Sequence, residues 1–327
     1  MAGATGLVLL GSETPKMVRA LARAADDCGA ETIWIACHLF QRDPVTLASA
    51  VLSATERVAV GVMSLSPYSV HPVYATMAAA TLDEFFPGRV RLCFGVGAPR
   101  DRDAAGIEAP QPLATLGEAV EIAKELLCGA TIAFRGERFR VEGRRLATGA
   151  RPLPVLLAAS GSRMLELAGK LADGVLISGG ASPEFVAWSL DRVRRGEIAA
   201  GGRAIRKIGI VWASIDEDPR RAHDRLRRNL AFVLRGGHHA RNLALAGTQL
   251  NQAALAAAYA REDWTAVDAL VTDAVVSRHA ASGSLDQASG TLARYRDAGL
   301  DEVAVAGISD KETLRRLIPG NAEHRAD

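Results

Sequence analysis

Short apolar runs alternate along this chain with amphipathic segments that open on helix-start signals, and this repeated alternation limits the folds available. Gly6 to Leu10 reads as a first strand. Thr14 then caps a helix that begins at Pro15 and stops near Gly29. Thr32 to Ala36 is a second strand, and Asp43-Pro44 starts its helix by the same device. Val58 to Met63 is a third, with His71-Pro72 opening a helix that Pro87-Gly88 ends. Val90 to Gly95 is a fourth, followed by helical sequence within Ala114 to Leu127. Pro154 to Ala158 and Gly174 to Ile177 are the fifth and sixth. Their helices open at Ser162 and at Ser182-Pro183-Glu184, the latter with an acid placed for the helix dipole. Ile208 to Ala213 and Glu302 to Ala306 are the seventh and eighth, and Ser309 with Glu312 has the form of a capping box.

Eight continuously apolar strands, each followed by helical sequence, predict a parallel sheet covered on both faces and closed as a (β/α)8 TIM barrel. A length of 327 residues suits one such domain spanning 1–327. Two stretches do not fit a bare barrel. Thr131 to Leu146, containing AFRGERFRVEGRRL, reads as a small exposed hairpin. The segment from about Ser214 to Asp301 is too long for one crossover and has a helical pattern throughout, which predicts a helical insertion between strands seven and eight. The tail beyond Gly320 reads as frayed. A net charge of +2 argues against a nucleic-acid or membrane partner. No uninterrupted apolar stretch is long enough for a membrane span, and the N-terminus reads as a strand, not a signal peptide. The four cysteines have no zinc-like spacing, so no metal is expected, and they suggest reduced thiols in the cytoplasm.

In such barrels the active site gathers where strands end at the C-terminal face. The exits here lack a carboxylate cluster and a strand-end lysine. They are rich in glycine, serine and backbone amides, which suits a flat, phosphate-bearing cofactor with reactivity of its own. Ala159-Ser160-Gly161-Ser162 turns a strand into a helix whose free amides could take a phosphate, although an ordinary serine cap is the commoner use of such a sequence. Ser178-Gly179-Gly180 lets backbone approach a ligand, or simply makes a turn. His38, after the second strand, is a candidate acid or base, or a structural histidine. Met63, Ser64, Gly95 and Gly97 end the third and fourth strands beside them. Arg100 and Arg102 follow, as a solvent-facing loop or as anion-binding groups.

The segments IWIACHLFQRDPVTLASAVLSAT, GVMSLSPYSVHPVYATMAAATLDEFFPGRVRLCFGVGA and PVLLAASGSRMLELAGKLADGVLISGG together resemble the luciferase-like monooxygenase superfamily. LDEFFPGRV and MLELAGKLADGV carry the likeness most specifically, and the coenzyme F420-dependent methylene-tetrahydromethanopterin reductase branch is the most similar. The resemblance implies F420, or alternatively FMN, bound at the barrel mouth. Its phosphate would lie near Ser160, Gly161 and Ser162, and its tail and ring edge along Ser178 to Gly180. It implies a cis non-proline peptide at Met63-Ser64. It also implies an acid-histidine pair after the second strand, represented here by Cys37-His38, so that His38 becomes the leading proton carrier and a carboxylate is missing. The expected activity is hydride transfer between F420 and a small organic substrate, in a homodimer. The alternatives are an FMN-dependent monooxygenase and a non-catalytic flavin or deazaflavin binder.

Overall fold

A computed structural model describes residues 3–318; the tail beyond Gly320 lies outside them. Eleven strands are present among these residues: β1 (Ala4–Leu9), β2 (Thr32–Ala36), β3 (Ala59–Leu65), β4 (Val90–Phe94), β5 (Ile132–Arg135), β6 (Arg140–Arg144), β7 (Val155–Ala158), β8 (Gly174–Ile177), β9 (Arg206–Ile215), β10 (Ala281–Gly283) and β11 (Glu302–Ala306). Eight of them run parallel in the order β1-β2-β3-β4-β7-β8-β9-β11. The last pairs back on the first, with Ala4 opposite Glu302, and this closes the barrel. β5 and β6 form the expected antiparallel hairpin, whose turn amides at Glu137, Arg138 and Phe139 all donate to the Glu118 carboxylate.

The helix starts follow local chemistry. Thr14, Asp43 and Ser182 each accept a first-turn N–H, and each is followed by proline. The imidazole of His71 does the same for Val73. Two expectations need correction. The last helix, Lys311–Leu317, is capped by Asp310, not by Ser309, because the Asp310 carboxylate takes both the Glu312 and Thr313 amides. The segment 214–301 is not helical throughout: β9 runs on to Ile215, and β10 pairs with its end in parallel. The capping box of the region is Ser284 with Gln287, at the start of helix Leu285–Asp297. Helix Pro99–Ala104 was not anticipated. Among the described residues no helix is long and apolar enough to cross a membrane.

Each strand splits its side chains between two cores. On β2, Ile33 and Ile35 pack outward against helices, while Trp34 and Ala36 fill the interior. The Trp34 ring so fills the barrel that a Cβ on Gly61 would lie 2.2 Å from it. Beside it the fully buried Glu302 accepts from the Trp34 indole at 2.8 Å and from Arg206 at 3.1 Å. The interior core continues at the mouth into the segment between β9 and β10, through Leu226, Leu230, Leu234, Leu255 and Val276.

That segment also grips the loop after β8. The Gly180 carbonyl accepts from Asn242 Nδ2 at 2.7 Å and from His279 Nδ1 at 2.9 Å. Asn242 Oδ1 accepts the Ser182 amide at 2.9 Å. A carbonyl can only accept, so Nδ1 of His279 carries the proton and Nε2 takes the Thr248 hydroxyl at 2.8 Å. His279 is therefore a neutral imidazole in a closed network, and burial holds it down to about 4. Burial and the neighbouring imidazoles hold His239 down to about 3.

Two outcomes follow from this packing. Gly61→Ala should cost about 1–3 kcal/mol by overpacking against Trp34, read as a lower thermal midpoint in circular dichroism. The histidines set a pH dependence. Unfolded chains bind protons at these sites below about 6.5, whereas the folded state does not until about 4. Denaturant midpoints should thus be level above pH 6.5 and fall as pH drops toward 4. A His279→Asn variant should show a shallower fall over that window.

Candidate active site

The strand exits form an arc around the mouth. At the β2 exit the Cys37 amide donates to the Met63 carbonyl at 2.5 Å, which ties this exit to the next. The Met63-Ser64 peptide is cis, as the resemblance implies. Ser64 leans toward β4, where a Cβ on Gly95 would lie 2.3 Å from its hydroxyl, so only glycine fits there. Ser66 donates to the Val96 carbonyl at 2.9 Å, and Gly97 has a φ of +86°, which favours glycine. Cys37, Ser64, Ser66 and Gly97 line one cleft together with Asp101 and Arg102.

Asp101 is the residue that sequence reasoning missed. Pro99 starts a short helix over the β4 exit, and its first turn carries Asp101 to within 3.4 Å of His38 Nδ1. The carboxylate absent beside His38 in sequence is thus supplied across the mouth from another exit. The local signal for this helix is Pro99 at its start. Arg102 does reach the cleft, and its Nε is buried without a partner among the described residues; Arg100 is exposed.

Cys37 needs a correction. Burial, with Asp43 and Asp101 nearby, pushes its thiol up to about 11. It stays protonated at neutral pH and cannot share the proton work of His38. Cys93, buried in the interior, is pushed higher still.

The turn at the β7 exit is uncapped, as is the one at the β4 exit, where Ala98 supplies no side chain to cap the helix. Gly161 precedes helix Ser162–Leu171 without any side-chain cap, and a Cβ there would meet nothing within 4 Å. The first-turn amides therefore have no side-chain acceptor from a cap. The Ala159 amide is taken by the Leu176 carbonyl at 3.1 Å, and the Ser162 hydroxyl turns to Glu166 at 3.4 Å. Ser160 completes the turn. At the β8 exit, the Ser178-Gly179-Gly180 glycines have reasons inside the protein. A Cβ on Gly179 would lie 2.8 Å from the Trp212 indole nitrogen, and Gly180 has a φ of +78°. Among the described residues no group of three His, Cys, Asp or Glu side chains could hold a metal ion. The arc offers backbone donors, small residues along a flat wall, and one imidazole-carboxylate pair that can carry a proton.

The sequence matches the luciferase-like monooxygenase family over residues 2–302. It is 28% identical over 305 residues to 5,10-methylenetetrahydromethanopterin reductase from Archaeoglobus fulgidus, covering 90% of this chain and 91% of that one. It is 30% identical over 237 residues to F420-dependent glucose-6-phosphate dehydrogenase from Nakamurella multipartita, covering 68% and 70%. The fold superposes on the coenzyme F420-dependent tetrahydromethanopterin reductase from Methanopyrus kandleri with a TM-score of 0.88, covering 98% of both chains at 22% identity. The closed parallel barrel and the family match over most of its length agree: this chain belongs to the luciferase-like monooxygenase family.

Proposed function

We propose that this protein is an F420-dependent oxidoreductase that transfers hydride between the deazaflavin and a small organic substrate. The observation that carries the reading is the His38-Asp101 pair at the cleft beside the cis peptide, in a chain whose similar relatives include F420-dependent enzymes. The residues present fit such a cofactor. The uncapped turn at Gly161 offers amides for a phosphate, and Ala159, Ser160 and Ser162 surround it. Met63 and Ser64, with Gly95 and Gly97, would back a flat ring, and Ser178 to Gly180 would run along its edge.

The chemistry a bound deazaflavin contributes is two-electron hydride transfer. The protein then has to orient two reactants, keep water out and handle one proton. Asp101 engages Nδ1 of His38, which leaves Nε2 as the nitrogen free to give a proton to, or take one from, the substrate oxygen or nitrogen. Cys37, held as a neutral thiol, acts as wall. We read the chain as one barrel domain, with the segment between β9 and β10 forming the substrate-facing side of the mouth. Homodimer assembly belongs to this reading, because Tyr74, Met77 and Phe85 stand 60%, 44% and 75% exposed along one face of helix Pro72–Phe85. So does a cytoplasmic location.

Titration of the purified protein with F420 and, separately, with FMN tests the cofactor. Fluorescence quenching and calorimetric heat should show micromolar F420 binding and weaker FMN binding. Tight FMN binding without F420 binding would move the assignment to a monooxygenase, and binding of neither would sink it. With F420 bound and a substrate found, His38→Ala should lower kcat by about 10²–10⁴-fold while leaving the F420 Kd unchanged. Loss of cofactor binding in that variant would contradict the proton role. Light scattering should report a dimer that Met77→Glu with Phe85→Glu converts to monomer.

A further inference from the structure

Arg102 lines the same cleft as Asp101, one residue further along helix Pro99–Ala104. Its place is fixed. The Arg102 carbonyl accepts the Ile107 amide at 2.8 Å and the Ala105 amide at 3.0 Å. Its stem passes over Gly97, where a Cβ would lie 3.6 Å from Arg102 Cδ. The guanidinium at the end of that stem has no acceptor among the described residues. Its Nε is buried, while its two terminal nitrogens keep accessible surface on a half-buried side chain. A guanidinium can only donate, so the group calls for an acceptor that the protein does not supply. Asp101, the carboxylate of the cleft lining, is turned instead to His38 at 3.4 Å. The Ser66 and Ser69 hydroxyls donate to the carbonyls of Val96 and Ser66 at 2.9 and 3.2 Å. Arg100 and Arg235 also lack a carboxylate partner among the described residues. Burial, and then the opposing charge of Arg100, lower Arg235, so positive charge gathers around this helix without a protein anion to balance it.

We propose that Arg102 is a substrate-binding residue that selects small carboxylic acids: its terminal nitrogens hold the carboxylate while the reacting oxygen or nitrogen of the same molecule meets Nε2 of His38. This rests on the F420 reading above and narrows its substrate class. The cleft encloses about 270 Å3, counting the solvent at its opening, and the accessible nitrogens of Arg102 belong to its lining. A carboxylate suits it better than a phosphate dianion, because Asp101 already stands there and repels each further negative charge. The site belongs to the substrate and not to the cofactor phosphate. Its lining comes from the exits of β2, β3 and β4, whereas the turn that offers amides to a phosphate follows β7. Consecutive residues of one short helix thus orient the proton carrier and anchor the substrate.

The test is calorimetry on the full chain, with and without saturating F420. The probes are acetate, pyruvate and lactate, set against acetamide, pyruvamide, lactamide and inorganic phosphate. At least one acid should bind, and its uncharged amide should bind about tenfold more weakly or worse. Arg102→Gln should weaken that acid by about ten- to a hundredfold, the worth of a hydrogen bond to a charged group. The same variant should keep the F420 Kd and the melting temperature of the parent. Arg102→Lys retains the charge without the planar fork and should fall between the two, and it decides the matter if the glutamine variant folds poorly. A merely structural Arg102 would shift the melting temperature without separating acid from amide. Four results would overturn the assignment: no acid bound, acid and amide bound equally, phosphate bound in preference to every acid, or a weaker F420 Kd in Arg102→Gln. A parent protein that binds an acid through Arg102 but does not bind F420 would bring down the cofactor reading alone.

Discussion

Closure of β11 onto β1 is the constraint on which the rest of the molecule depends, since no mouth exists until the sheet has no edge. The first residue of β11, Glu302, is fully buried in the seam. Its carboxylate joins Trp34 on β2 to Arg206 on β9, so three strands that are far apart in sequence share one set of polar contacts. Burial raises the Glu302 carboxyl, and the indole and guanidinium around it work against that effect. A buried carboxyl of this kind is costly unless its partners are all in place. Trp34 then fills the lower interior and forces glycine at position 61.

Above this floor the interior ends in small residues and open backbone. The arc from Cys37 to Gly180 is set by close fits: Ser64 against Gly95, the Cys37 amide on the Met63 carbonyl, the Trp212 indole against Gly179. These contacts leave donors facing the mouth and bring one imidazole to one carboxylate. The helices after β9 pack their apolar residues onto the interior core and extend it beyond the barrel strands.

Much of this was legible because local chemistry wrote it. The pairs Thr14-Pro15, Asp43-Pro44, His71-Pro72 and Ser182-Pro183 announce helix starts that depend on no distant residue, and all four are real. The hairpin at 132–144 was visible for the same reason. What escaped was whatever depends on pairing across space. β10 is a strand only because the end of β9 lies beside it; its three residues, Ala281 to Gly283, carry no strand signal of their own. Asp310 displaced Ser309 as a cap by a difference of one residue, which sequence patterns do not resolve. Asp101 and His38 are separated by two strands, and nothing in either local sequence names the other. Gly179 was legible as a place of close approach, but the ring that approaches it belongs to a different strand.

The grip on the Gly180 carbonyl bears on how this architecture diversifies. Asn242, Thr248 and His279 lie in the segment between β9 and β10, yet they act on a loop that belongs to the barrel. The segment is therefore not an exchangeable cassette. A chimaera that imports another such segment to alter what the mouth admits would also remove the pegs from the β8 loop. Recombination between homologues would have to carry the loop and its pegs together, so these two distant stretches of chain are bound to be inherited as one unit.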